Sequence, residues 1–263
     1  MSVRILVLNA HPDFGSFCDH IADAYVVGAT LSGHQVEAVA LRDLRFDLVL
    51  RGGYAHAGPL EPDLIEQQRL LTWCEHLVVV SPNWWWSAPA LLKGYIDRVF
   101  LPGFAMRYHA RFPYVEPLLR GRSARVLYTQ NAPRLAGVLF RGDLFWHWIK
   151  RAVLRHCGFS PVRRMVLYDA RHASDHDRNR FLDDVRDLGR LGGTPRAERR
   201  LTRAYRRRAP REELSSRTRV IGSEVLSWCH SMTRSASAMR AVAGPIPASR
   251  PGSARRWARP TRW

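Results

Sequence analysis

The sequence predicts an α/β protein built on a doubly wound, five-stranded parallel sheet with helices on both faces. Two apolar runs, residues 3–8 and 77–80, are short enough for single strands and uniform enough to be buried on both sides. Segments with helical periodicity alternate with further strand-like runs, the pattern of repeated βαβ units. With 46% hydrophobic residues, the 263-residue chain has ample material for such a core.

The first run leads into Asn9-Ala-His-Pro-Asp-Phe-Gly-Ser-Phe-Cys18 and then an amphipathic helix over 16–31. A second strand is expected over 35–41, and a helix over 62–73 precedes the third strand. A helix over 89–100 follows, with Pro89 suited to its first turn. Its apolar face is Leu92, Tyr95, Ile96 and Val99, which leaves Lys93 and Asp97 exposed as an i,i+4 pair. Residues 124–130 alternate weakly as a strand that ends in the turn Asn131-Ala-Pro133. A helix over 142–157, a fifth strand over 162–168 and a last helix over 174–190 complete the pattern. Asp175, His176 and Asp177 suggest a metal by residue type but read as the capped start of that last helix.

Candidate chemistry gathers where the strands end. Residues 81–108 place Trp84, Trp85 and Trp86 in the turn after the third strand. Each indole has a large apolar face and one N–H that requires a partner. Such a turn suits a flat, partly polar aromatic ligand; the alternative is a roof over the core or a dimer interface. After the first strand, His11 is placed to donate to a phosphate oxygen, and Ser16 with the N–H groups of Phe17 and Cys18 to cradle it. The competing reading makes Ser16 an ordinary helix cap and His11 a solvated loop residue. Neither GxGxxG nor GxxxxGK[ST] follows the first strand, which argues against Rossmann-type dinucleotide binding and against a P-loop.

Three segments, NAHPDFGSFCDHIADA, IEQQRLLTWCEHLVVVSPNWWWSAPALLKGYIDRVFLPGFAMRY and RHCGFSPVRRMVLYDA, together resemble the flavodoxin-like NAD(P)H:quinone oxidoreductase family. The resemblance covers roughly residues 1–190 and implies a flavodoxin-like sheet of order 2-1-3-4-5. It implies a flavin, FAD or FMN, lying across the strand ends, with NADPH or NADH as hydride donor and a quinone as acceptor on the same ring face in turn. His11, Ser16, Phe17 and Cys18 fall where the family grips the flavin's phosphate portion, and Gln68 on a glutamine that reaches the cofactor. Pro82, Asn83, Trp84, Trp85 and Trp86 fall on the loop that lines the isoalloxazine. Thr129, Gln130, Asn131 and Ala132 fall on the turn whose backbone donors face the flavin's pyrimidine end. Tyr108 matches a residue that walls the quinone pocket, and its usual aromatic neighbour is Met106 here. The family builds its site partly at a two-fold interface, so a homodimer is expected, and residues 144–149 offer apolar surface for it.

Two departures bear on mechanism. The family has glycines where this chain reads Asn131-Ala-Pro133, and Leu135 and Arg141 stand roughly at the positions of a tyrosine–histidine proton relay. Arg141, always cationic, is expected either to neutralise the reduced flavin or a NADPH phosphate, or to form a surface salt bridge.

The domain is expected to end at Gly193. From Thr194 onward there are 17 arginines against 4 glutamates, +13 of the chain's formal +18, and hydrophobic periodicity vanishes. This segment reads as a disordered basic tail; a frameshifted or read-through end explains its composition at least as well as a function does. Nucleic acid or an anionic membrane are the partners its charge would suit. No run approaches a membrane span, no signal sequence opens the chain, and Cys18, Cys74, Cys157 and Cys229 lack zinc spacing, all of which suits the cytoplasm. Besides a quinone reductase, two readings stay open: a flavin-binding accessory subunit of a potassium-efflux channel, and a nucleic-acid or membrane binder acting through the tail.

Overall fold

A computed structural model describes residues 2–111, 114–132 and 143–193. Arg141, Cys229 and the basic segment from Thr194 lie outside these described residues. Five strands form one parallel sheet: β1 (Arg4–Asn9), β2 (Gln35–Ala40), β3 (His76–Pro82), β6 (Ser123–Gln130) and β7 (Val162–Tyr168), in the order β2-β1-β3-β6-β7. This is the expected 2-1-3-4-5 order once β4 (Met106–Tyr108) and β5 (Val115–Pro117) are set aside as a separate antiparallel pair. At three residues each, those two strands are too short to show a period-two pattern.

The helices are α1 (Phe17–Leu31), α2 (Pro62–Trp73), α3 (Ala90–Val99), α4 (Leu144–His147, continued as a π-helix over Trp148–Arg155) and α5 (Asp175–Arg190). Pro89 is the cap of α3 rather than its first-turn residue, and Lys93 reaches Asp97 at 2.6 Å as the spacing required. The Ser174 hydroxyl accepts from the Asp177 N–H at 3.1 Å, so the Asp-His-Asp run is the capped helix start. The helix expected over 142–157 departs most from its reading. Only its first turn is α-helical, and the wider π-helix that follows turns Ile149, Val153 and Leu154 inward. Of the apolar segment 144–149 expected to offer dimer surface, Phe145, Trp146 and Ile149 are buried in this chain's own core, which leaves Leu144 and His147 exposed.

Alternation along the strands divides the interior in two. Leu6, Leu8, Leu77, Val79, Val126 and Tyr128 pack towards α2, α3 and α4, while Ile5, Val7, Val78, Val80 and Leu127 pack towards α1 and α5. On the second side the helices meet at glycines. A Cβ on Gly28 would stand 2.0 Å from the Arg186 carbonyl oxygen, and one on Gly189 would stand 2.2 Å from that of Tyr25. Only hydrogen fits at either position.

His76, at the start of β3, is buried against the Tyr25 ring at a centroid distance of 6.3 Å, and its Nδ1 lies 2.7 Å from the Ser123 hydroxyl. Burial first, then the charges of Arg125 and Arg163 and the neighbouring His34, push the imidazole down to about 3 from an ordinary 6.5. Below the ordinary value the unfolded chain binds a proton that the fold refuses, so stability is lost progressively as pH falls from 6.5 towards 3. His76→Phe should therefore show a smaller drop in Tm between pH 7 and pH 4 than the parent chain. Equal drops in a thermal-melt series would assign the acid sensitivity to other groups.

Candidate ligand site at the strand ends

Parallel strands in register deliver their following loops to one edge. Asn9 pairs with Val80 and Pro82 with Thr129, so the loops after β1, β3 and β6 leave the sheet side by side. Two contacts tie them. The His11 ring meets the Trp84 ring edge-on at 5.7 Å, joining the β1 loop to the β3 loop. The Asn83 Nδ2 donates to Gln130 Oε1 at 2.8 Å, joining the β3 loop to the end of β6.

The β3 loop closes as a tight hairpin. Trp84 and Ser87 exchange both backbone hydrogen bonds, at 3.1 and 2.9 Å, and the two residues between them are Trp85 and Trp86. Both have left-handed backbone, with φ of 53° and 61°, as a two-residue primed turn demands. Asn-Gly is the usual occupant, and an L residue there costs about 1–2 kcal/mol. Trp85 is also 88% exposed, so its ring recovers little of that cost by packing. The indole held strained and in solvent leaves a flat apolar face open.

At the β1 loop both readings of Ser16 meet. Its hydroxyl accepts from the Asp19 N–H, and the Asp19 carboxylate accepts from the Ser16 N–H at 2.9 Å, a complete capping box. Ser16 is thus the cap of α1, while the first-turn N–H groups of Phe17 and Cys18 have no intrahelical acceptor available. Their side chains point elsewhere. Phe17 lies against Phe181 and under the Arg178 guanidinium, and Cys18 is buried, its thiol pushed up to about 12 by burial. Any role of these two residues towards an anion belongs to their backbone.

Asp19 and Arg42 are the participants that sequence reasoning missed. Asp19 accepts from Asn9 Nδ2 and, at 2.8 Å, from Arg42, whose guanidinium also donates to the Asp13 carbonyl and lies 4.3 Å from the centre of the exposed Phe14 ring. Burial pushes the Asp19 carboxyl up, but hydrogen bonds from Arg42 and Ser16 outweigh it and hold the group below the ordinary carboxylate range. The Ser16-x-x-Asp19 spacing was the available signal for Asp19. Arg42 comes from the turn after β2 and had none.

The remaining candidates lie as follows. Pro82 is the buried last residue of β3. Thr129 is half-buried, Gln130 buried, Asn131 exposed and Ala132 half-buried, with the Ala132 carbonyl accepting from Gln130 Nε2 at 3.3 Å. Gln68 sits within α2 and donates to the Val99 carbonyl at 3.0 Å, which fastens α2 to the end of α3. Tyr108 stands exposed on the two-stranded β4–β5 pair rather than on the strand-end loops. The site therefore unites His11, the tryptophan turn, Asn83, Gln130 and Ala132, and leaves Gln68 and Tyr108 apart from that cluster.

Residues 3–188 match the model of a family described as having the flavodoxin-like fold. Among curated proteins, NAD(P)H dehydrogenase [quinone] 1 of Rattus norvegicus is 28% identical over 132 residues, 48% of this chain and 47% of the relative. An uncharacterised NAD(P)H oxidoreductase of Escherichia coli is 35% identical over 118 residues, 43% of this chain and 60% of the relative. The chain spans about half the length of the curated relatives it matches. A crystal structure from Streptococcus mutans superposes with a TM-score of 0.64 at 30% identity, covering 71% of this chain and 98% of that one.

Because the fold takes a penalty at Trp85, Trp85→Gly should raise stability by about 1 kcal/mol, as Gly carries no left-handed strain. A lower denaturation midpoint in urea would instead mean that the indole packs in the fold.

Proposed function

The chain belongs to the family with the flavodoxin-like fold, and from that premise we propose that it is a flavin-dependent NAD(P)H oxidoreductase that reduces quinones by two electrons. The observation that carries this reading is the strained pair Trp85–Trp86, with Trp85 turned to solvent and Trp86 half-buried, at the meeting point of three strand-end loops. The residues present suit such a cofactor. The first-turn N–H groups of Phe17 and Cys18, with His11 earlier on the same loop, suit a phosphate; Pro82 to Trp86 suit an aromatic ring; the turn from Thr129 to Ala132 suits polar ring edges. Asn83 Oδ1, buried and without a partner among the described residues, belongs to the same junction between the β3 loop and β6.

A bound flavin would supply hydride transfer between NADPH or NADH and the acceptor. The protein's part is positional and electrostatic. The tryptophan turn holds the ring plane and keeps water from one face, and the backbone donors at 129–132 stabilise negative charge at the ring's polar end. Arg141, which lies outside the described residues, is the candidate for a permanent positive charge towards the reduced ring or a NADPH phosphate, and Tyr108 for a wall of the acceptor pocket. Residues 1–193 are the working domain, and the chain acts as a homodimer, with exposed Tyr54 and Tyr108 among the surfaces available for self-association.

Two measurements test the proposal. The purified chain should be yellow and bleach on adding NAD(P)H, with parallel double-reciprocal plots when donor and quinone are varied, because both occupy one face in turn. A colourless protein that takes up no added flavin would end the reading, and intersecting lines would end the shared face. Arg141→Ala should slow stopped-flow bleaching by about tenfold or more while flavin affinity changes little, in line with loss of one electrostatic stabiliser. An unchanged bleaching rate would leave Arg141 a structural residue.

A further inference from the structure

The amide bridge between the β3 and β6 loops has a defined direction. Ala132 offers Gln130 a carbonyl oxygen, which only accepts, so Gln130 presents Nε2 to it, at 3.3 Å. Gln130 therefore turns Oε1 to Asn83, and Asn83 answers with Nδ2 at 2.8 Å. The Asn83 backbone is held as well, its N–H donating to the Thr129 carbonyl at 2.9 Å. What remains is Asn83 Oδ1, shielded from solvent and, among the described residues, without a hydrogen-bond partner. A buried acceptor left unpaired carries a desolvation penalty that nothing in the fold offsets. Its placement, between the tryptophan turn and the end of β6, points to a donor supplied by the ligand.

We propose that Asn83 Oδ1 recognises the imide N3–H of the isoalloxazine, with Gln130 as the positioning residue that aims it. The inference rests on the flavin reading above and assigns one atom within it. The oxidised isoalloxazine carries a single ring N–H, flanked by two carbonyl groups. Backbone N–H groups of the 129–132 turn suit the carbonyls; only an acceptor suits the N–H between them. Among the described residues Asn83 carries a buried free acceptor at this junction, and the bond from Asn83 to Gln130 prevents the amide from rotating to offer its NH₂ instead. A leucine keeps the branched four-atom skeleton of asparagine but offers no acceptor, and would leave the imide unpaired.

The full-length chain, freed of flavin, should be titrated by fluorescence quenching with FAD and 3-methyl-FAD, and in parallel with FMN and 3-methyl-FMN. The parent chain should bind the methylated form about tenfold or more weakly, the scale of one lost buried hydrogen bond. Asn83→Leu should bind the natural flavin about tenfold more weakly and no longer distinguish the two forms, and Gln130→Leu should reduce the discrimination without abolishing it. Equal affinities in the parent chain, or discrimination that persists in Asn83→Leu because the methyl group merely clashes, would overturn the assignment. If Asn83→Leu does not fold, flavin labelled with ¹⁵N at position 3 decides in the parent complex. A slowly exchanging N3–H proton is expected, and one in rapid exchange with water would overturn the assignment. Failure of the parent chain to bind either flavin removes the functional proposal itself, whereas binding without discrimination removes only this one.

Discussion

The shared register of β1, β3 and β6 is the constraint on which the ligand face depends. Asn9 lies opposite Val80 and Pro82 opposite Thr129, and the ladder continues one residue beyond, with the Ala10 N–H on the Val80 carbonyl and the Asn83 N–H on that of Thr129. Side chains alternate along a strand, so a slip of one residue would exchange the two halves of the core. Val78 and Val80 would then face α2 and α3, and Tyr128 would turn away from α4. The tryptophan turn, His11 and Gln130 meet because the strands that carry them are too well buried to slip.

Polar clamps complete what register begins. The Asp19 carboxylate gathers Asn9, Ser16 and Arg42, so the loop after β1 is fastened to the helix it starts and to the turn after β2. On the other face, the Tyr128 hydroxyl donates to both oxygens of buried Asp143, at 3.0 and 3.1 Å, and Arg164 pairs with the same carboxylate. Asp143 sits in the left-handed region at φ 52°, and three bonds to its side chain hold it there. Arg164 also lies 4.9 Å from the centre of the Trp146 ring, which draws the start of α4 onto the sheet beside the end of β6. Loops held this way have little conformational freedom left to lose when a ligand binds.

Charge tells a separate story. Residues 1–193 carry 24 basic and 19 acidic side chains, a modest +5, and the excess belongs to the segment from Thr194. Overall net charge therefore bears on solubility and on polyanion contact, and has little to say about the strand-end site.

Much of this architecture was legible in the residues themselves. The ranges 62–73 for α2 and 162–168 for β7 match the structure to the residue, because Pro62 and the Val162–Tyr168 run mark them with local signals. That the tryptophans stand in a turn between a strand and a helix was legible too, while the sequence left a ligand face, a roof over the core and a dimer interface open as their use. Other features depend on partners distant in sequence. The π-helical stretch after His147 and the burial of Phe145 and Trp146 follow from packing against β6 and β7. Arg42 joins Asp19 across 23 positions, and Asn83 joins Gln130 across 47. Sequence alone determined the five strands of the parallel sheet, most of the helices between them and which loops follow each strand, since periodicity and turn residues act over a few positions. Only the tertiary structure decided which side chains there are spent on each other and which atom is left free, because that is settled by hydrogen bonds between loops that meet only after the sheet is assembled.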